Sequence, residues 1–119
     1  MDTNLLQSML EIGENIAVEF KRCGNGIETD VYETVCSFLN RFGGDLFLGV
    51  LDDGTVSGVP AAAAPNMVKN FISCISNPTL FSPTVYLAPE IVSIQGKTVI
   101  HVHVPPSAEV HSFKRVIYD

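Results

Sequence analysis

His101 and His103 stand two apart in an alternating run, which in a strand puts both imidazoles on one face with the H-x-H spacing that can chelate a transition metal. No third ligand is evident. His111, the other histidine, follows Pro105-Pro106 in a loop-like stretch, so a surface or phosphate-contact role suits the pair better than a metal site. Cys23, Cys36 and Cys74 form no C-x-x-C pair. Odd in number and widely spaced, they fit neither a disulfide framework nor a thiolate zinc site and read as the reduced thiols of a cytoplasmic protein. No Ser or Cys sits in a G-x-S-x-G elbow, so nucleophilic catalysis is not expected. The phosphate loop G-x-x-x-x-G-K-[ST] is also absent, and the glycines around Gly24 to Gly26 and at Gly43-Gly44 read as turn and helix-end chemistry. ATP is therefore not an expected cofactor.

Seven Lys and Arg face thirteen Asp and Glu in 119 residues, a net charge of −6. That balance excludes a generally basic nucleic-acid coat, so phosphate contacts have to come from a local patch. Lys21-Arg22, Arg41 and Lys114-Arg115 are the candidate nucleic-acid-binding residues and could line one groove if the fold gathers them; Lys69 and Lys97 stand alone. Aromatic stacking is thinly supplied, with no Trp and most Phe residues in core patterns. No helix carries the basic, polar face of a sequence reader.

The elements that must position these groups follow from hydrophobic period. Leu5, Leu6, Met9 and Leu10 share one helical face over 4–11, with Thr3 or Asn4 as cap and Gly13 as stop. Ile16, Val18 and Phe20 then alternate with Glu19 and Lys21 as a half-buried strand. After the turn at Cys23-Gly24-Asn25-Gly26, Val31, Val35, Cys36, Phe38, Leu39 and Phe42 recur at helical spacing over 28–42. Residues 45–51 form an apolar strand, Asp52-Asp53-Gly54 is a turn signal, and TVSGV completes an expected β-hairpin. Met67, Val68, Phe71, Ile72 and Ile75 mark a third helix that Asn77-Pro78 stops. Two strands over 85–94 and 98–104 meet at Gln95-Gly96-Lys97, and the closing VIYD reads as the start of another strand, as if the chain were the N-terminal part of a longer protein. The expected fold is α+β: a single domain over 1–119, with one mixed, mostly antiparallel sheet and about three packed helices. No stretch approaches the ~18 to 20 apolar residues of a membrane span, and the N-terminus lacks the basic start of a signal peptide. A membrane is not an expected partner.

Glu14, the strand Glu19-Phe20-Lys21, the second helix running into SFLNRFGGDLFLGV, Asp52-Asp53-Gly54 and Gly58 stand in an order that resembles the Schlafen AlbA-like domain family, usually labelled DNA-binding. The helix closed by Asn77-Pro78 and the strand TVIHVHVPPS extend the resemblance over nearly the whole chain. Proteins similar to this are described as transcriptional regulators or as related to ATP-dependent DNA helicases, which implies a nucleic acid, DNA or RNA, as partner. In the vertebrate Schlafen branch the resemblance implies a metal-dependent endoribonuclease built on three carboxylates. The matching positions are Glu14, Glu19 and Asp52, with Asp53 a rival for the last place and Lys21 the phosphate contact.

Such carboxylates are suited to Mg²⁺ or Mn²⁺, because hard cations take oxygen ligands and need one or two carboxylates beside water and substrate phosphate. The same residues have ordinary structural uses: Glu14 at a helix end, Glu19 paired with Lys21, Asp52 in a turn. The expected function is a nucleic-acid-binding module of a transcriptional regulator, with a metal-dependent endoribonuclease as the alternative. A third reading makes the apolar first helix and an open sheet edge a homodimer or docking surface with no nucleic-acid affinity.

Overall fold

Asp2, one residue ahead of the expected caps, starts the first helix: its Oδ1 accepts from the Asn4 N–H at 2.8 Å. A computed structural model describes residues 2–119 and places α1 at Thr3–Ile12, β1 at Val18–Lys21, α2 at Thr29–Asn40, β2 at Gly44–Leu48 and α3 at Ala64–Ile75. The chain continues through β3 (Phe81–Ser82), β4 (Glu90–Ile94), β5 (Lys97–Val104) and β6 (Ser112–Phe113). The main sheet has the order β1-β2-β5-β4, with β1 parallel to β2 and the other pairs antiparallel. Parallel neighbours need a crossover, and α2 provides it. The fold is the expected α+β mixed sheet with three helices; a separate two-stranded sheet, β3-β6, was not foreseen.

β2 is buried along its entire length because both of its faces are covered. On one face α2 and α3 lay Val35, Leu39, Met67 and Phe71 over Leu46, Leu48, Ile100 and Val102; on the other, Leu6 and Leu10 of α1 cover Phe20, Phe47, Ile94 and Val99. Each such side chain contributes roughly 1.5–3 kcal/mol by leaving water. Double coverage also explains why DLFLGVL reads as a continuous apolar run and not an alternating one.

Four expectations need correction. Residues 45–51 and 55–59 do not form a hairpin: β1 and β5 occupy both edges of β2, so after the turn at Asp52-Asp53-Gly54 a lone bridge, Val50 to Val56, remains. Ile16 stays exposed and the first strand opens at Val18, after a turn in which Asn15 Oδ1 accepts from the Ala17 N–H. The strand expected from residue 85 begins at Glu90, directly after Pro89, which has no N–H to donate. VIYD does not continue as a strand. Val116 bridges back to Phe113, and the Tyr118 carbonyl accepts from Asn40 Nδ2 at 2.6 Å. No helix among the described residues is long and apolar enough to cross a membrane.

Candidate nucleic-acid interface and its carboxylate cleft

Register brings four of the candidate residues, Glu19, Lys21, Arg22 and Asp52, to one end of the sheet. Lys21 lies opposite Leu48, so β1 and β2 end together and the loops carrying Arg22 and Asp52 leave from the same place. A cleft of about 380 Å³ opens there, lined by Glu19, Lys21, Arg22, Cys23, Asp30 and Asp52 among others. Glu14, in the segment after α1, does not line the cleft; its Oε2 accepts from the Phe20 N–H at 2.9 Å. Asp52 and not Asp53 joins Glu19 in this cleft. Asp53 is spent on its own turn, where Oδ1 accepts from the Thr55 N–H at 2.9 Å.

Burial raises the Glu19 carboxyl above its ordinary value; the Glu14 charge adds to the rise, Lys21 opposes it, and Asp52 adds again. Glu19 therefore feels both other carboxylates. Lys21 is engaged within the protein: its Nζ lies 2.9 Å from Asp30 Oδ2 and 3.6 Å from Glu19 Oε1. Burial works against its charge, but the Asp30 hydrogen bond and the Asp30 and Glu19 charges outweigh burial and raise its pKa. The Cys23 thiol is pushed up to about 11 by burial and then by Asp30 and Glu28, so it is not a thiolate nucleophile near neutrality.

The cationic candidates are dispersed. Arg22 is exposed in the cleft, and its guanidinium has no ion pair or hydrogen bond among the described residues. Arg41 follows α2 at the opposite end of the parallel strand pair, bonded to Ser37 Oγ at 2.7 Å. Lys114 lies over the Phe113 ring at 5.5 Å, and Arg115 lines a different cleft with Leu80 and Ile117. They do not form one groove.

The histidines meet a carboxylate that sequence reasoning missed. Asp45 Oδ1 lies 2.8 Å from His101 Nε2 and 3.2 Å from His103 Nδ1, because Asp45 pairs directly with His103 across β2 and β5. Burial pushes the Asp45 carboxyl up, but the hydrogen bonds from His101 and His103 and their charges pull it below its ordinary value. A charged residue opening an otherwise apolar strand was the signal available. His111 is structural, with its ring bonded to Pro83 O at 2.7 Å and Ser107 Oγ at 2.8 Å.

The family model for Schlafen, AlbA_2 matches residues 14–119. The chain belongs to that family. Among solved structures, the N-terminal domain of an ATP-dependent DNA helicase RecG-related protein from Nitrosomonas europaea superposes with a TM-score of 0.67 at 24% identity, covering 89% of this chain and 74% of that one. A Corynebacterium diphtheriae protein gives 0.61 at 18% identity, covering 92% of this chain and 23% of that one. These two likenesses show the AlbA_2 fold. No curated protein matches the chain.

In this Schlafen AlbA_2 domain the cleft offers hard oxygen donors suited to Mg²⁺ or Mn²⁺. Among the described residues, no three His, Cys, Asp or Glu groups are placed to hold a metal ion together, and Glu14 is already held by the Phe20 N–H. Of the three carboxylates, Glu19 and Asp52 line the cleft, and a hard cation takes as few as one or two carboxylates beside water.

Proposed function

We propose that this domain is a nucleic-acid-binding module of a transcriptional regulator, most simply DNA-binding, working in a reducing cytoplasm where Cys23, Cys36 and Cys74 stay free. The observation that carries this reading is one cleft in which an unpaired guanidinium, Arg22, stands beside Glu19 and Asp52. Arg22 takes a phosphate directly. Glu19 and Asp52 hold a divalent cation, which supplies positive charge to the neighbouring phosphate in a chain whose net charge is −6. Family membership and the likeness to a RecG-related domain support nucleic acid as the ligand.

Fluorescence anisotropy of labelled duplex DNA and of a structured RNA, over a salt series with and without Mg²⁺, tests the reading. Affinity that falls with salt and rises with Mg²⁺ is expected; no binding at low salt in either condition contradicts it.

The Glu19 carboxyl, raised first by burial and then by Glu14 with a smaller push from Asp52, favours one second reading, a metal-dependent endoribonuclease. There a bound Mg²⁺ or Mn²⁺ supplies Lewis acidity toward phosphate and water, Glu19 and Asp52 orient it, and Arg22 holds the substrate strand. Cleavage of a structured RNA with Mn²⁺ that disappears in Glu19→Ala distinguishes this reading from binding alone.

A further inference from the structure

The helical spacing that buries Val31, Val35, Phe38 and Leu39 would carry Phe42 into the same core, yet Phe42 is 78% exposed. The helix ends before it: Arg41 leaves the helical conformation after Asn40, and Gly43, with a φ of +75°, closes the turn by donating its N–H to Phe38 O at 2.8 Å. The turn is packed: a Cβ on Gly43 would stand 2.5 Å from Val104 O and 2.9 Å from Pro106 Cδ. A fixed backbone thus presents an aromatic ring to water, with the exposed Arg41 beside it in sequence. His103 lies at the same end of the sheet, and the carboxylate that register places there, Asp45, is turned to the two imidazoles.

We infer that the turn between α2 and β2 is a second nucleic-acid contact, in which Phe42 stacks on an unpaired base and Arg41 takes the adjoining phosphate. The inference rests on the nucleic-acid reading above and adds the ligand form: a strand with accessible bases. An exposed ring accepts any base face, so the contact is tolerant of sequence, and the guanidinium gives it a preference for nucleic acid over an apolar protein surface. Phe42 precedes β2 while Asp52 follows it, so the two contacts flank opposite ends of a strand about 13 Å long at ~3.3 Å per residue. Oligomers too short to span that distance engage one contact only.

The test compares the intact chain with Phe42→Ala on three labelled probes: a single-stranded 12-mer, an abasic 12-mer with the same phosphates, and a duplex. Phe42→Ala is expected to weaken the single-stranded probe about tenfold while leaving the abasic and duplex probes unchanged, and Phe42→Trp restores affinity. Equal affinity of wild type and Phe42→Ala for the single strand overturns the inference and leaves the cleft reading intact. Failure of the wild type to bind any probe removes both. Conversion of a dimer to a monomer by Phe42→Ala in sedimentation, without loss of affinity, makes the face an interface between copies and also overturns the inference.

Discussion

Lys21 Nζ lies 2.9 Å from Asp30 Oδ2, so the cation expected to meet phosphate instead ties the end of β1 to the first turn of α2. Asp30 sits in the first turn of α2, where the helix dipole favours an acid. A ligand phosphate would have to compete with this pair, whereas Arg22 is already available.

Arg22→Ala should accordingly weaken nucleic-acid affinity by a similar factor for all sequences and reduce the salt slope by about 1. Lys21→Ala should change the slope less and lower the melting midpoint slightly, the loss of a half-exposed pair being about 0.2–1 kcal/mol. Anisotropy across a salt series reads both variants. A larger slope change for Lys21 than for Arg22 would reverse the assignment.

Glu19→Gln should raise the thermal midpoint at pH 7. The folded carboxyl is raised by burial and then by Glu14, so folding favours its protonated form, and the wild type loses stability as pH climbs through the carboxylate range. The advantage of Gln should shrink toward zero as pH falls below about 4.3, where an ordinary glutamate protonates. Melting curves at several pH values measure this directly.

Asp45→Ala should cost about 1–3 kcal/mol, because the His101 Nε2 donor would lose its acceptor in a residue 1% exposed whose Nδ1 has no hydrogen bond. The Asp45 carboxyl lies below its ordinary value; its stabilisation is present above about pH 3.9 and is lost as pH falls through the folded value. Urea denaturation of both proteins at pH 7 and pH 3 should show a larger difference at the first than at the second.

Asn40→Ala should destabilise the chain by a similar amount and loosen its C-terminal stretch selectively. Asn40 Oδ1 accepts from the His111 N–H at 2.7 Å, and its Nδ2 donates to the His111 and Tyr118 carbonyls at 2.9 and 2.6 Å. Faster amide exchange at His111, with the β2 amides unchanged, is the expected signature.

The three helices and the strand pair β4 and β5 were legible because their apolar periods are local properties of the chain. The hairpin after β2 was not, because Asp52-Asp53-Gly54 specifies a turn while the partners of β2 are chosen by residues more than fifty positions away in β5. Phe42 obeyed the helical period, but the helix had already ended at Asn40, before a turn that the left-handed Gly43 closes. Glu14, Glu19 and Asp52 were named through family resemblance, and parallel pairing of β1 with β2 brings their segments together. Asp45 was hidden because its role needs two imidazoles on another strand, and Asp30 because the loop between β1 and α2 has to fold back to bring it to Lys21.

The most direct test of the cleft is binding of a labelled nucleic acid by wild type and Glu19→Gln, each in Mn²⁺ and in EDTA. The account predicts that Mn²⁺ tightens wild-type binding severalfold and that Glu19→Gln, still folded by circular dichroism, loses most of that gain. Binding by the wild type that is identical in Mn²⁺ and EDTA would contradict a cation-bridged cleft.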